Sequence, residues 1–134
     1  MNKFRVWYKN NNEWEKNPCF LSQDGIVYQQ ISAMEFAPCT KDTHVVQFCT
    51  TFKDEDKKEI YEGDICQGIN KLYLCHRSEE KSGYYFKVIK SETVLCRDLS
   101  FPMWQWSIDG EMPDIKVVGN IFKNPELLQN TNKI

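Results

Sequence analysis

Apolar and polar residues alternate over many short stretches of the chain, and a period of two is the mark of half-buried β-strands. In FRVWY, Phe4, Val6 and Tyr8 fall on one side and Arg5 and Trp7 on the other. KNNNEW then reads as a turn, since asparagine tolerates a left-handed backbone. CFLSQDGIVYQQISAMEF predicts two strands joined at Asp24 and Gly25, because an Asp-Gly pair between apolar runs favours a tight hairpin. HVVQFCTTF predicts a central strand, and DICQG, KLYLCHR, GYYFKVIK and TVLCRDL predict four more, with SEEKSG as a polar turn among them. FPMWQWSIDGEMPD, bounded by Pro102 and Pro113, reads as an irregular segment or an outer strand, because proline keeps out of central ladders.

Near the end, Gly119 inside IKVVGN marks a bulge or a close backbone approach. Asn124 and Pro125 match a helix start, with Asn124 as N-cap, Pro125 at the first helical position and Glu126 near the positive end of the helix dipole. Leu127 and Leu128 would then fold back onto the sheet. Many short strands with turn signals at near-regular spacing predict a mainly β fold, a small barrel or sandwich, with one short C-terminal helix.

A length of 134 residues suits one compact domain, residues 1–134. With 41% hydrophobic and 13% aromatic residues the chain can build a core, which excludes wholesale disorder. The opening MNKFRVWYKN lacks the apolar run of a signal peptide or membrane span, so a cytoplasmic protein without a membrane partner is expected. A formal net charge of -2 gives no global pull toward nucleic acid, although residues 71–97 hold six Lys or Arg against three Glu. The six cysteines are separated by 9 to 21 residues, without a CxxC pair, and read as reduced, buried thiols; neither a metal nor a cofactor is expected.

The densest charge lies in KDEDKKEIYEGDIC, residues 53–66, with six carboxylates and three lysines. Glu59, Glu62 and Asp64 supply the oxygen ligands that a hard divalent cation takes. The structural reading is a turn at Glu62, Gly63 and Asp64, in which Gly63 takes a positive φ, Asp64 accepts a backbone N–H, and Ile60, Tyr61 and Ile65 anchor the flanks. The turn is preferred, because Gly63 interrupts the strand that would align the carboxylates. His44 and His76 are the only imidazoles, no GxSxG elbow or phosphate-cradling glycine loop occurs, and an enzyme is not expected.

Two aromatic segments are candidates for recognition. Phe101, Trp104 and Trp106 form the first: in a strand the two tryptophans share a face, either filling core or offering a contact surface to a protein partner. In the second, Tyr84 and Tyr85 stand among Lys87, Lys90 and Arg97, a pattern that suits single-stranded nucleic acid and equally a half-buried strand.

Three segments together resemble the YopX-like family of bacteriophage and prophage proteins. They are Phe4-Arg5-Val6-Trp7; Val46-Gln47-Phe48 leading into Lys53-Asp54 and Glu59-Ile60-Tyr61-Glu62-Gly63-Asp64-Ile65; and Val118-Gly119-Asn120-Ile121-Phe122-Lys123-Asn124-Pro125-Glu126-Leu127-Leu128. The chain departs from the family where Thr50-Thr51-Phe52 stands for threonine, glycine, leucine, where Asp56-Lys57 stands for Asn-Gly, and where Tyr8 stands for an Asp. The first two changes each replace a glycine, so the turns there are expected to use other backbone geometry or to be longer and looser. The resemblance implies a mainly β domain with an SH3-like barrel or roll, additional strands and a phage or prophage origin, and it brings no catalytic residues. The expected function is a non-catalytic binding module acting on a protein partner or by self-assembly as a homo-oligomer. The alternatives are a β-barrel that binds nucleic acid or nucleotide and, third, a metal-dependent or Cys/His enzyme.

Overall fold

The alternation in FRVWY becomes β1, Phe4–Tyr8, which the Asn-rich turn, with Asn12 at φ 53°, reverses into β2, Glu13–Trp14. The computed structural model describes residues 3–78, 80, 83–91 and 99–128. These form a mainly β structure in which no α-helix occurs among the described residues, and no helix is long and apolar enough to cross a membrane. The chain divides into two compact units, Met1–Phe48 and Cys49–Ile134, with the division inside β6, His44–Lys53.

In the first unit, β1 pairs antiparallel with β2 and with the first half of β6, from Phe4 opposite Phe48 to Tyr8 opposite His44. Trp7 and Trp14, opposite one another, meet edge to face at 4.8 Å, and Val6 and Trp7 are buried. A second sheet holds β3, Cys19–Leu21, β4, Val27–Ser32, and β5, Glu35–Pro38, in that order. The Asp24-Gly25 reversal joins β3 to β4, with Gly25 at φ 81° and Ser22 closing the loop: its N–H donates to the Ile26 carbonyl at 2.9 Å, and its Oγ accepts the Ile26 N–H at 3.1 Å. Where two strands are expected there are three. A second reversal falls at Ala33 and Met34, and a bulge between Gln30 and Ser32 interrupts the alternation just before it.

In the second unit, the rest of β6 pairs with β7, Glu59–Tyr61. A five-stranded antiparallel sheet follows, made of β8, Asp64–Gly68, β9, Lys71–Arg77, β10, Tyr84–Ser91, β11, Ser100–Pro102, and β12, Lys116–Asn120. Its order is β11-β10-β9-β8-β12. Alternation sends Cys66, Tyr73, Cys75, Phe86 and Val88 to one face, where Ile60, Met103, Met112 and Ile115 complete a core; Ile65, Leu72 and Ile89 pack on the other with Leu127 and Leu128. Each fully buried large side chain here contributes about 1.5–3 kcal/mol relative to exposure. The strand expected at TVLCRDL, with Cys96 and Arg97, lies outside the described residues.

The expected C-terminal helix is a single 3-10 turn, Pro125–Leu128. Asn124 does not cap an α-helix: its Oδ1 accepts the N–H of Asn120 at 3.1 Å, so the side chain closes the turn that leaves β12. That turn brings Leu127 against Gly119, where a Cβ would lie 2.7 Å from the leucine Cδ1, and the β8–β12 ladder bulges between Val117 and Gly119. The two lost glycines are also corrected. Thr51 at φ 73° and Lys57 at φ 65° keep the left-handed geometry that glycine adopts without cost, so the turns are neither rebuilt nor loosened.

Candidate functional site

The charged stretch resolves into two buried carboxylates among exposed ones. Asp54, 1% exposed, receives three backbone N–H groups: Asp56 at 2.9 Å and Lys58 at 2.8 Å on Oδ1, and Val117 at 2.9 Å on Oδ2. Asp64, 2% exposed, accepts the Tyr61 N–H at 2.8 Å and the Asn120 Nδ2 at 3.1 Å. Between them Gly63, at φ 86°, donates to the Cys75 carbonyl and accepts from Ile121. Glu59 accepts from the Tyr61 hydroxyl at 3.3 Å. These groups fasten a turn to β12, and among the described residues no group of three or more His, Cys, Asp or Glu is arranged to hold a metal ion.

The aromatic segment does not form one surface. Pro102 leads into a 3-10 turn, Met103–Gln105, and three residues per turn separate positions that a strand would align. Trp104 projects outward at 66% exposure, while Phe101 and Trp106 stack on the core, Trp106 lying 5.2 Å from Phe101, 5.4 Å from Tyr73 and 5.9 Å from Phe86.

The basic and aromatic strand splits in the same way. Tyr84 packs on the core side, and burial, then Glu62, raises its hydroxyl pKa. Tyr85 faces the other way beside His76, with ring centres 6.1 Å apart. Lys87, two residues on and opposite Ser100, shares that face, and His76 Nε2 lies 3.4 Å from Ser100 Oγ. Burial first, and then Lys87, lowers the His76 pKa, which favours a neutral ring at pH 7. Lys90 follows a bulge after Val88, and Arg97 lies outside the described residues.

In the first unit, Arg5 sits 4.0 Å over the Trp14 ring and donates to Gln47 at 3.2 Å, beside a cleft of about 420 Å³ that Lys3, Glu15 and Cys19 also line. Glu15 in turn holds His44 Nε2 at 3.2 Å, while His44 Nδ1 lies 2.7 Å from Thr43 Oγ1. That hydroxyl is shared with the Thr40 side chain at 3.1 Å, so the chain of groups fixes the start of β6. The cysteines are less uniformly buried than expected: Cys66 and Cys75 are inside, whereas Cys19, Cys39 and Cys49 are half-buried. Burial, then Cys39 and Glu15, pushes the Cys19 thiol up to about 11.

The most exposed apolar surface was not foreseen. Eleven large hydrophobic residues are exposed among those described, and six of them, Phe20, Leu21, Ile26, Ile31, Met34 and Phe36, fall between positions 20 and 36. Register places Phe20 opposite Tyr28, and Gln30 opposite Phe36, so Phe20, Tyr28 and Phe36 share one face of the β3–β4–β5 sheet; Leu21, opposite Val27, falls on the other, Ile31 sits in the bulge, and Ile26 and Met34 lie outside the strands. Phe20 and Phe36 meet edge to face at 5.3 Å, across a shallow cleft of about 310 Å³ completed by Leu21, Ser22 and Tyr28. The only sequence signal was the alternation of the strands, which groups residues by face without saying which face is covered.

Residues 3–129 match the family described as YopX protein. The chain belongs to the YopX family. The match takes in both compact units of this YopX protein, including the fastened turn at Asp64 and the last strand, β12. No curated protein sequence matches. Among solved structures, the crystal structure of protein EF1440 from Enterococcus faecalis is similar, with a TM-score of 0.55 and 21% identity over 96% of this chain and 99% of that one. At that identity the likeness is one of fold.

Proposed function

We propose that this YopX protein is a non-catalytic binding module that engages a protein partner through the apolar face of β3–β4–β5. The carrying observation is the half-exposed aromatic pair Phe20 and Phe36, which share that face with Tyr28 and line a shallow cleft. Contiguous apolar surface of this kind on a soluble chain marks interaction sites, and aromatic side chains dominate the energetics of such contacts. Trp104, exposed on its own, is a lesser candidate. An SH3-like roll for the second unit is supported by the consecutive antiparallel pairing of β8 to β11 and by the bulge in β10, which lets a sheet curl. A phage or prophage origin goes with the family. A place in the host cytoplasm goes with that origin.

One observation favours nucleic-acid binding as a second reading: Tyr85, Lys87, His76 and Ser100 share a partly open face of β9–β10–β11. Capture from lysate of the bacterial host, with and without nuclease, separates the two readings. The wild type should retain a nuclease-resistant protein that Phe20→Ser/Phe36→Ser loses while keeping its circular dichroism and unfolding midpoint. Equal retention by the variant, or loss of the partner on nuclease treatment, refutes the protein-binding proposal.

A further inference from the structure

Another cleft, of about 310 Å³, lies within the second unit, between the β8–β9 turn and the segment that leads into β12. Its lining is largely apolar, with Ile69, Tyr73, Trp106 and Ile115. Gly68 shapes it. A Cβ there would lie 2.5 Å from Tyr73 Cε2 and 3.4 Å from Ile115 Cδ1, so the missing side chain lets the tyrosine ring lie against the strand. Register puts Gly68 opposite Lys71 and Cys66 opposite Tyr73, so Lys71 and Tyr73 stand on the same face of the sheet. Lys71 is half-buried, and its ammonium meets no carboxylate among the described residues, although Asp114 also lines the cleft. Asp114 is exposed, at φ 62° in the turn before β12. A cation and an acid thus line one apolar cleft without pairing with each other.

We infer that this cleft takes a small monocarboxylate with one apolar group, its carboxylate on Lys71 and its apolar body on Tyr73, Trp106 and Ile115. That chemistry belongs equally to a free aromatic or branched-chain acid and to the last residue of a polypeptide. The volume sets the size: ligand pockets run from about 300 to 1,000 Å³, and this one, at the lower limit, holds a body about the size of a single ring. The charges set the sign. An ammonium in apolar surroundings favours an anionic partner, since water and salt screen a partly buried pair less. Asp114 repels further negative charge, which disfavours phosphate esters and nucleic acid. The inference is independent of the β3–β4–β5 face.

The test follows the backbone amide NMR shifts of the isotope-labelled full-length protein as phenylpropionate, its neutral amide or benzyl phosphate is added. The acid should shift residues 68–73 and 113–115 and bind about fivefold or more tighter than the amide, and tighter than benzyl phosphate. Lys71→Met should erase the preference for acid over amide while leaving the amide's affinity unchanged. Ile69→Ser, at an exposed position, should weaken both ligands. Asp114→Asn, whose new side chain also tolerates a positive φ, should raise the affinity for benzyl phosphate. A short acetylated peptide ending in phenylalanine, with its C-terminus free or amidated, separates the two sources. Binding that needs the free terminus extends the inference to polypeptide ends, whereas failure of both peptides restricts it to free acids. Equal affinities for acid and amide, a preference that survives Lys71→Met, shifts confined to other residues, or no binding of the acid or the peptide overturns the inference.

Discussion

Asp54→Ala tests whether the charged stretch is held as a fastening. The carboxylate is buried and takes three backbone N–H groups at 2.8 to 2.9 Å. A hydrogen bond to a charged group contributes about 1.5–3 kcal/mol, and a donor left buried and unpaired costs about 1–3 kcal/mol. In the alanine variant the Asp56 and Lys58 donors sit on an exposed turn where water reaches them, so their loss is partly recovered. The Val117 N–H, within the β12 ladder, has less recourse. A destabilisation of about 2–4 kcal/mol follows, a large share of the roughly 5–15 kcal/mol that holds a domain folded. Asp54→Asn keeps one oxygen for the turn donors but sets an N–H₂ against the Val117 N–H, and should cost about 1.5–3 kcal/mol. Asp56→Ala is the control. Its side chain is 61% exposed and lies 3.8 Å from Lys116 Nζ, a surface pair worth about 0–1 kcal/mol. Urea unfolding followed by tryptophan fluorescence, with unchanged slope, reads all three. If the midpoint of Asp54→Ala moves no further than that of Asp56→Ala, the fastening has no energetic meaning.

Thr51→Gly should raise stability by about 1 kcal/mol, because a β-branched residue at positive φ is strained beyond what glycine's extra chain entropy offsets, and Lys57→Gly should gain less; thermal unfolding reads both. Trp106→Ala should cost about 2–4 kcal/mol by removing a ring packed on Phe101, Tyr73 and Phe86, while Trp104→Ala should stay within about 0.5 kcal/mol; equal effects in chemical unfolding would contradict the 3-10 turn. The Cys19 thiol, raised from 9.0 to about 11, should carry about a hundredfold less thiolate at pH 8 than an unperturbed cysteine and alkylate correspondingly slowly. Because its folded pKa lies above the unfolded one, its stabilising contribution is complete below pH 9 and lost as pH rises toward 11; stability of Cys19→Ser should fall less over that window.

What the sequence disclosed depended on whether a residue's role is local. The strands FRVWY, KLYLCHR and GYYFKVIK were legible because alternation reports the pleat of a single strand, although it does not say which side is inward: Val6 and Trp7, on opposite sides, are both buried. The Gly63 and Asp64 turn was legible too, since glycine punctuates a strand and a short acid closes the turn beside it. Asp54 was not, because its third donor lies 63 residues away and nothing nearby separates it from the other acids of the run. Trp104 and Trp106 were misplaced because spacing has meaning only once the period is known, and a 3-10 turn replaces two residues per repeat with three. The exposure of Phe20 and Phe36 was not legible, because coverage of a sheet face is decided by distant parts of the chain.

The fastening of β12 also sets an order in time. Asp54 and Asp64 leave the ribosome well before Val117 and Asn120, 63 and 56 residues later respectively. At roughly 5–20 residues per second, the nascent chain carries both carboxylates without their distal donors for several seconds. Throughout that interval β8 has an open edge, and the sheet can close only when β12 arrives. Contacts this far apart in sequence also slow folding of the finished chain, since the loop must close before the contact rewards it. The interval before β12 docks is thus when the emerging protein is most exposed to aggregation and to chaperones.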